Sequence, residues 1–546
     1  MKRTIAILLA IITVLTFTAC GKQAAVDPAE TAGTSAKPAE TGSATKSPEP
    51  DNTGAPASTA PEQPAYLGKT LTIACAQLPE SLIIQNIKNN TATNVIMPAL
   101  YSRLYDFNEN DELVPNIDTG YEWEDEKNLR VFLRDDACTA TGEKITAEDV
   151  KYSFTVGIGG VNTSAYAEIE DVVVEDDYTA RIVFKNPNPT FIDSLDEESF
   201  CIVSKSGVEK DGGIDIACKA PYSCTTGAYK FYEWKEGQSI TLQYNENYFN
   251  KEYVPSYEFI KYIVIPDNAS RCLAVQSGDA DIASNLSLAD TLGYANTKGI
   301  GVATFPTYLS TVLFFNCSNG IFTNPDLRKA IGYLVDWQEC AEVVGGPNAK
   351  LNEASMPRAS QYFYDEYIRT KDIEMGKELM AKAGYPDGFS FEITTAQPQV
   401  HHTNVALLIQ AQLAEFGITV KVNTLDLGIY FGTIDSGNYE AHMSNASASF
   451  AVHMAFYDDY KTRAQNYGGP QLSDPYLTDL VMKARTEFDE AKRIEYVLQI
   501  QQYMVDNRVG YGITDEVAYA LYNSDKLQDM TSEMKGLKAP FVRPVS

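Results

Sequence analysis

Apolar and polar residues follow three regimes along this chain. Ile5 to Ala19 is an almost wholly apolar run, whereas Lys22 to about Pro64 carries hardly one large apolar side chain. Beyond that point the pattern becomes periodic. Leu71 and Ile73 alternate as a strand, and Val95, Ile96, Ala99, Leu100 and Leu104 fall at helical spacing across 91–105. The stretch NLRVFLRDDACTATGEKITAEDVKYSF (128–154) predicts a strand through Leu129, Val131 and Leu133, a turn at Gly142, and a helix entered at Thr146. Asp149, three residues on, is placed to complete a capping box with Thr146. Residues 171–184 read as a hairpin turning at Asp176 and Asp177. Helices are predicted over 269–277, 372–383 and 402–416, each stopped by a glycine (Gly278, Gly384, Gly417). Ile418, Val420 and Val422 alternate as a strand, Asp474 and Pro475 open one helix, and Asp489–Val505 makes another.

The two non-periodic regimes bear on location. Lys2 and Arg3 precede an apolar run too short to span a bilayer comfortably, and Ala19 stands just before Cys20. That order is similar to a bacterial lipoprotein signal over 1–20, cleaved before Cys20 and lipidated on its thiol; an ordinary secretory signal is the alternative. Residues 21–65 are expected to be a disordered tether, since so few apolar groups cannot offset the entropy of ordering. The remaining 480 or so residues suffice for about three domains. A net charge of −29 argues against nucleic acid and against an anionic membrane surface as partners. Nine cysteines, with no C-x-x-C among those after Cys20, give no zinc or redox motif. Cys218 and Cys224 are the closest pair and the candidate disulfide.

An ordered set of motifs carries a family resemblance. "V-F-L-R" running through Gly142 into "T-A-E-D-V", Thr226-Gly227-Ala228-Tyr229, Gln276-Ser277-Gly278-Asp279, Asp326-Leu327-Arg328, and Gly384-Tyr385-Pro386-Asp387-Gly388-Phe389 stand in sequence. They resemble the extracytoplasmic solute-binding proteins of the oligopeptide/dipeptide/nickel family. The resemblance implies an α/β, type II periplasmic-binding-protein-like fold, two lobes around a ligand cleft plus an inserted third lobe. Mapped onto this chain, lobe I is expected at 66–106, 225–315 and 516–546, lobe II at 107–224, and lobe III at 316–515, with hinges near 315 and 515. It also implies a monomer on the outer face of the cytoplasmic membrane that delivers an oligopeptide or similar solute to an ABC permease, without a cofactor. A non-peptide or metal-chelate solute is one alternative; a surface adhesin or chaperone-like lipoprotein is another.

Catalysis finds no support. The chain has no G-x-S-x-G, no H-E-x-x-H and no phosphate-binding Gly-Lys-Ser/Thr loop, and only four histidines, at 401, 402, 442 and 453. Candidate ligand contacts follow from the resemblance and from departures from it. Peptide-binding members commonly hold the peptide amine with an aspartate in the region corresponding to 439–460. Here no carboxylate occurs from Ala441 to Tyr457, and His442, Ser444, Asn445 and Ser447 stand instead. Ser81, Tyr308, Thr311, Gln397 and His401 are expected at the cleft, with Arg358 able to hold a carboxylate bidentately. His401 and His402, adjacent at the start of a helix that follows an expected polar loop over 394–399, are expected to point apart and not to form a two-point metal ligand, so no metal site is expected.

Overall fold

A computed structural model describes residues 64–83, 85, 91–107, 113–160, 166–195, 198–352, 354–363, 370–397, 399–462, 468–530 and 537–545. The expected signal, Cys20 and all but the last two residues of the expected tether lie outside the described residues.

The 128–154 stretch folds as its pattern predicts. Strand Asn128–Leu133 buries Leu129, Val131 and Leu133 on one face, the chain turns at Gly142 with φ +83°, and helix Ala147–Gly159 follows. The Asp149 carboxylate accepts the Thr146 backbone N–H at 2.9 Å and that of Lys205 at 2.8 Å. One side chain thus satisfies a donor at this helix start and ties down the distant helix Lys205–Lys210. The strand belongs to a four-stranded antiparallel sheet in the order Asp118–Asp125, Asn128–Leu133, Thr179–Phe184, Ile169–Asp176, with its own core around Phe154, Phe184, Phe191 and Phe200.

The main body is a ten-stranded sheet whose centre is two long antiparallel strands, Ile300–Phe315 and Gly510–Asn523. On one side of this pair lie Ile282–Leu286, Thr70–Cys75, Phe259–Val264, Ser239–Tyr244 and Tyr229–Lys235, in that order. On the other lie Ala441–Ser447, Ser390–Gln397 and Thr419–Asp426. Within the long pair, Ile300–Pro306 run opposite Asn523–Val517 and Ser310–Phe314 opposite Asp515–Gly510, with the register broken between Pro306 and Ser310. Tyr308, in that break, has φ +56°, where a Cβ is disfavoured.

The apolar run Val312-Leu313-Phe314-Phe315 is buried on both faces, as expected for a strand with helices on either side. Leu313 and Phe315 pack with helices Pro325–Leu334, Trp337–Gly345 and Val400–Ala414. Val312 and Phe314 pack on the opposite face with Pro475–Thr486 and Glu490–Asn507.

Two expectations are corrected, and one segment that the pattern left unassigned, 441–447, is a strand. Residues 394–397, read as a loop, are the end of strand Ser390–Gln397, which pairs in parallel with Thr419–Asp426 along its whole length. Residues 441–447 are an interior strand, although their small polar side chains lack apolar alternation. Cys224 is a thiol, its sulfur 4.0 Å from the Tyr101 hydroxyl rather than bonded to Cys218, because it is packed into the core around Leu100 and Tyr229.

Candidate functional site at the strand crossing

One face of the sheet changes character along its strands. Leu313 and Met443 lie in the core beneath helix Val400–Ala414, and two residues along each strand the same face presents Thr311 and Asn445, which are register partners. Glu516 reaches the same place from the other long strand, just beyond the register break. The first turn of the helix brings His401 and His402 over them.

The other four side chains converge on the Glu516 carboxylate. Its Oε1 accepts from Thr311 Oγ1 at 2.7 Å and lies 3.0 Å from His401 Nε2; Asn445 Nδ2 donates to Oε2 at 3.3 Å. His402 Nε2 stands 3.7 Å from Oε1, beyond hydrogen-bonding distance. The two imidazole rings are 4.4 Å apart, edge to face. The expectation that neighbouring histidines diverge is therefore overturned: at a helix start both rings can turn towards one carboxylate supplied from another element. Burial alone would raise the Glu516 pKa, yet the two imidazoles outweigh it and hold the carboxyl well below its ordinary range. Burial pushes the His402 pKa below its ordinary value, against the opposing pull of Glu516.

Glu516 also lines a cavity of about 390 Å³ beside Tyr308, Leu309, Arg358 and Asp515. Arg358 is fixed at the rim: its backbone N–H donates to Asp515 Oδ2 at 3.2 Å, its Nε is 3.7 Å from the same oxygen, and its guanidinium lies 4.6 Å from the Phe363 ring centre. The Leu351 carbonyl accepts from its Nη2. Loop 354–358 reaches this position because it lies flat on the long strand at Gly512, where a Cβ would stand 2.3 Å from the Asn352 carbonyl oxygen.

The structure thus gathers Tyr308, Thr311, Arg358, His401 and Asn445 from the expected set, and adds Asp515 and Glu516. The two carboxylates carried no sequence signal beyond polarity inside an otherwise apolar stretch. Other expected contacts stand apart. Ser81 is buried and closes its own turn by accepting the Ile83 N–H at 3.0 Å. Gln397 is exposed at its strand end. His442 is fully buried, its Nδ1 3.0 Å from the Tyr430 hydroxyl and its ring against Tyr439, because this strand position faces the opposite helical layer. Burial pushes its pKa down to about 4. Ser444 pairs with Val312 on that same face. The Ser447 carbonyl accepts from His453 Nδ1 at 3.2 Å. The four-stranded sheet contributes one further contact: Trp123 meets Phe488, which lies between helices Pro475–Thr486 and Glu490–Asn507, edge to face at 5.2 Å.

A model of the bacterial extracellular solute-binding proteins, family 5 (middle region), matches residues 112–468. The chain belongs to this family. Its relatives include the "Probable D,D-dipeptide-binding periplasmic protein DdpA" of Escherichia coli K12, 25% identical over 429 residues, covering 76% of this chain and 79% of the relative. The fold is shared with the periplasmic binding protein DppA of Helicobacter pylori, solved with the peptide STSA (TM-score 0.73, 20% identity, covering 88% of this chain and 99% of that one). It is shared equally with NikZ of Campylobacter jejuni, solved with Ni(L-His) (TM-score 0.72, 19% identity, covering 86% and 96%). The family 5 α/β fold with two lobes is that of this chain, and its relatives are transport binding proteins. Among the described residues, no helix is long and apolar enough to cross a membrane.

Proposed function

We propose that this family 5 protein captures a peptide-sized zwitterionic solute in the cavity at the strand crossing and delivers it to an ABC permease, tethered outside the membrane through Cys20 and residues 21–65. The observation that carries this reading is the pairing of charges on one rim: the Arg358 guanidinium suits a solute carboxylate, and the Asp515 and Glu516 carboxylates suit an ammonium. These carboxylates supply what residues 441–457 lack. The register break at 306–310 serves as the crossing between lobes, with the expected lobe bounds otherwise retained, and solute shifts an open–closed equilibrium because only the closed form contacts it from both sides. A chelated metal is the second reading, favoured by His401 and His402 beside Glu516.

Titration calorimetry of the mature chain against a library of short peptides tests the first reading. Arg358→Ala is expected to weaken the best binder about 10- to 100-fold, the worth of a charge-assisted hydrogen bond. A melting temperature indifferent to every peptide sinks it.

A further inference from the structure

We propose that His401, His402 and Glu516 form a cation site owned by the chain itself, which takes a first-row divalent ion of the zinc, nickel or copper kind in the absence of any solute. It goes beyond the solute reading and does not depend on which solute the cavity accepts.

The donors are already assembled. The ring nitrogens of His401 and His402 and the Glu516 carboxylate lie within 4.8 Å of one another. A hydrogen-bonded carboxylate–imidazole pair would account for His401, at 3.0 Å, but not for His402. The latter is only 2% exposed, and neither ring nitrogen has a hydrogen-bond partner among the described residues. An imidazole buried with both nitrogens unsatisfied is costly, and a ligand on Nε2 removes part of that cost. The Nε2 atom faces the carboxylate at 3.7 Å, a spacing that admits an ion touching both. Thr311 Oγ1 donates to Oε1 and Asn445 Nδ2 to Oε2 of the carboxylate, the outer-shell support that oriented metal ligands have.

Two imidazoles and one carboxylate select borderline ions over calcium or magnesium, which take oxygen ligands. Three protein donors leave positions open towards the cavity that Glu516 lines, and His401, partly exposed, gives access. An ion here joins the start of helix Val400–Ala414 to the long strand just past its register break.

The test uses the untagged full chain, stripped with a chelator and titrated with cobalt, nickel or zinc chloride alone, followed by calorimetry and by the visible spectrum of cobalt. One ion per chain is expected, with a melting temperature that rises with ion concentration. His401→Ala, at a partly exposed position, and Glu516→Gln are each expected to weaken binding at least tenfold, and Thr311→Val about tenfold. Circular dichroism separates lost binding from lost fold. Absence of heat and of a cobalt spectrum overturns the site, as does binding seen only when free histidine accompanies the ion, or equal affinity in His401→Ala. Peptide titration of the metal-free chain reads the solute proposal separately: its failure leaves the cation site standing, and the converse holds.

Discussion

Replacing Phe488 with alanine tests whether closure is held by a contact remote from the solute. Phe488 is 37% exposed, and its edge-to-face partner Trp123 belongs to the four-stranded sheet, which has a separate core. Removing Phe488 therefore leaves the Leu129 and Phe184 packing around Trp123 intact. An aromatic pair of this geometry contributes about 0.5–1.5 kcal/mol beyond its buried area. If the contact exists only in the closed form, that energy is lost from the closed side alone, and solute affinity falls roughly two- to tenfold. Calorimetry on Phe488→Ala, Trp123→Leu and the double variant gives the coupling, and small-angle scattering of the solute-free chain reports the accompanying shift towards a wider form. Unchanged affinity in Phe488→Ala, or additive single effects in the double variant, refutes the reasoning, since the pair would then not act across the cleft.

Stability is expected to fall as the medium is acidified through the range of the buried histidines. Burial pushes His453 and His442 each down to about 4, so the unfolded chain, with histidines near 6.5, takes up protons that the fold refuses. The loss amounts to roughly 3 kcal/mol per histidine between pH 6.5 and 4 and is absent above 6.5. Urea titrations across that range should give a shallower slope for His453→Gln; an equal slope contradicts the assignment. Gly512→Ala places a Cβ 2.3 Å from the Asn352 oxygen and 2.6 Å from the Ser355 nitrogen, so loop 354–358 must lift and carry Arg358 off the rim. Solute affinity should drop about as far as in Arg358→Ala, with stability reduced by about 1–3 kcal/mol, and wild-type affinity would refute the close packing.

The sequence by itself determined the local units and the family. The Thr146 capping box, the hairpin over 169–184, and the helices ended by Gly278 and Gly417 are legible because capping and left-handed termini depend on residues a few positions apart. The motifs from Arg134 to Phe389 stood in family order for a related reason: each is a local turn or helix start. Tertiary structure decided the site. Strand Ala441–Ser447 is interior because its neighbours supply both edges, not because of its own side chains, and that pairing turns His442 away from the cavity and Asn445 towards it. Glu516 lies more than a hundred residues from His401, and a carboxylate inside an apolar strand says nothing in sequence about which imidazole it will meet. Period-two alternation fixes that a side chain leaves one face of a sheet; only the order of ten strands, and a register break at Tyr308, fixes what stands opposite.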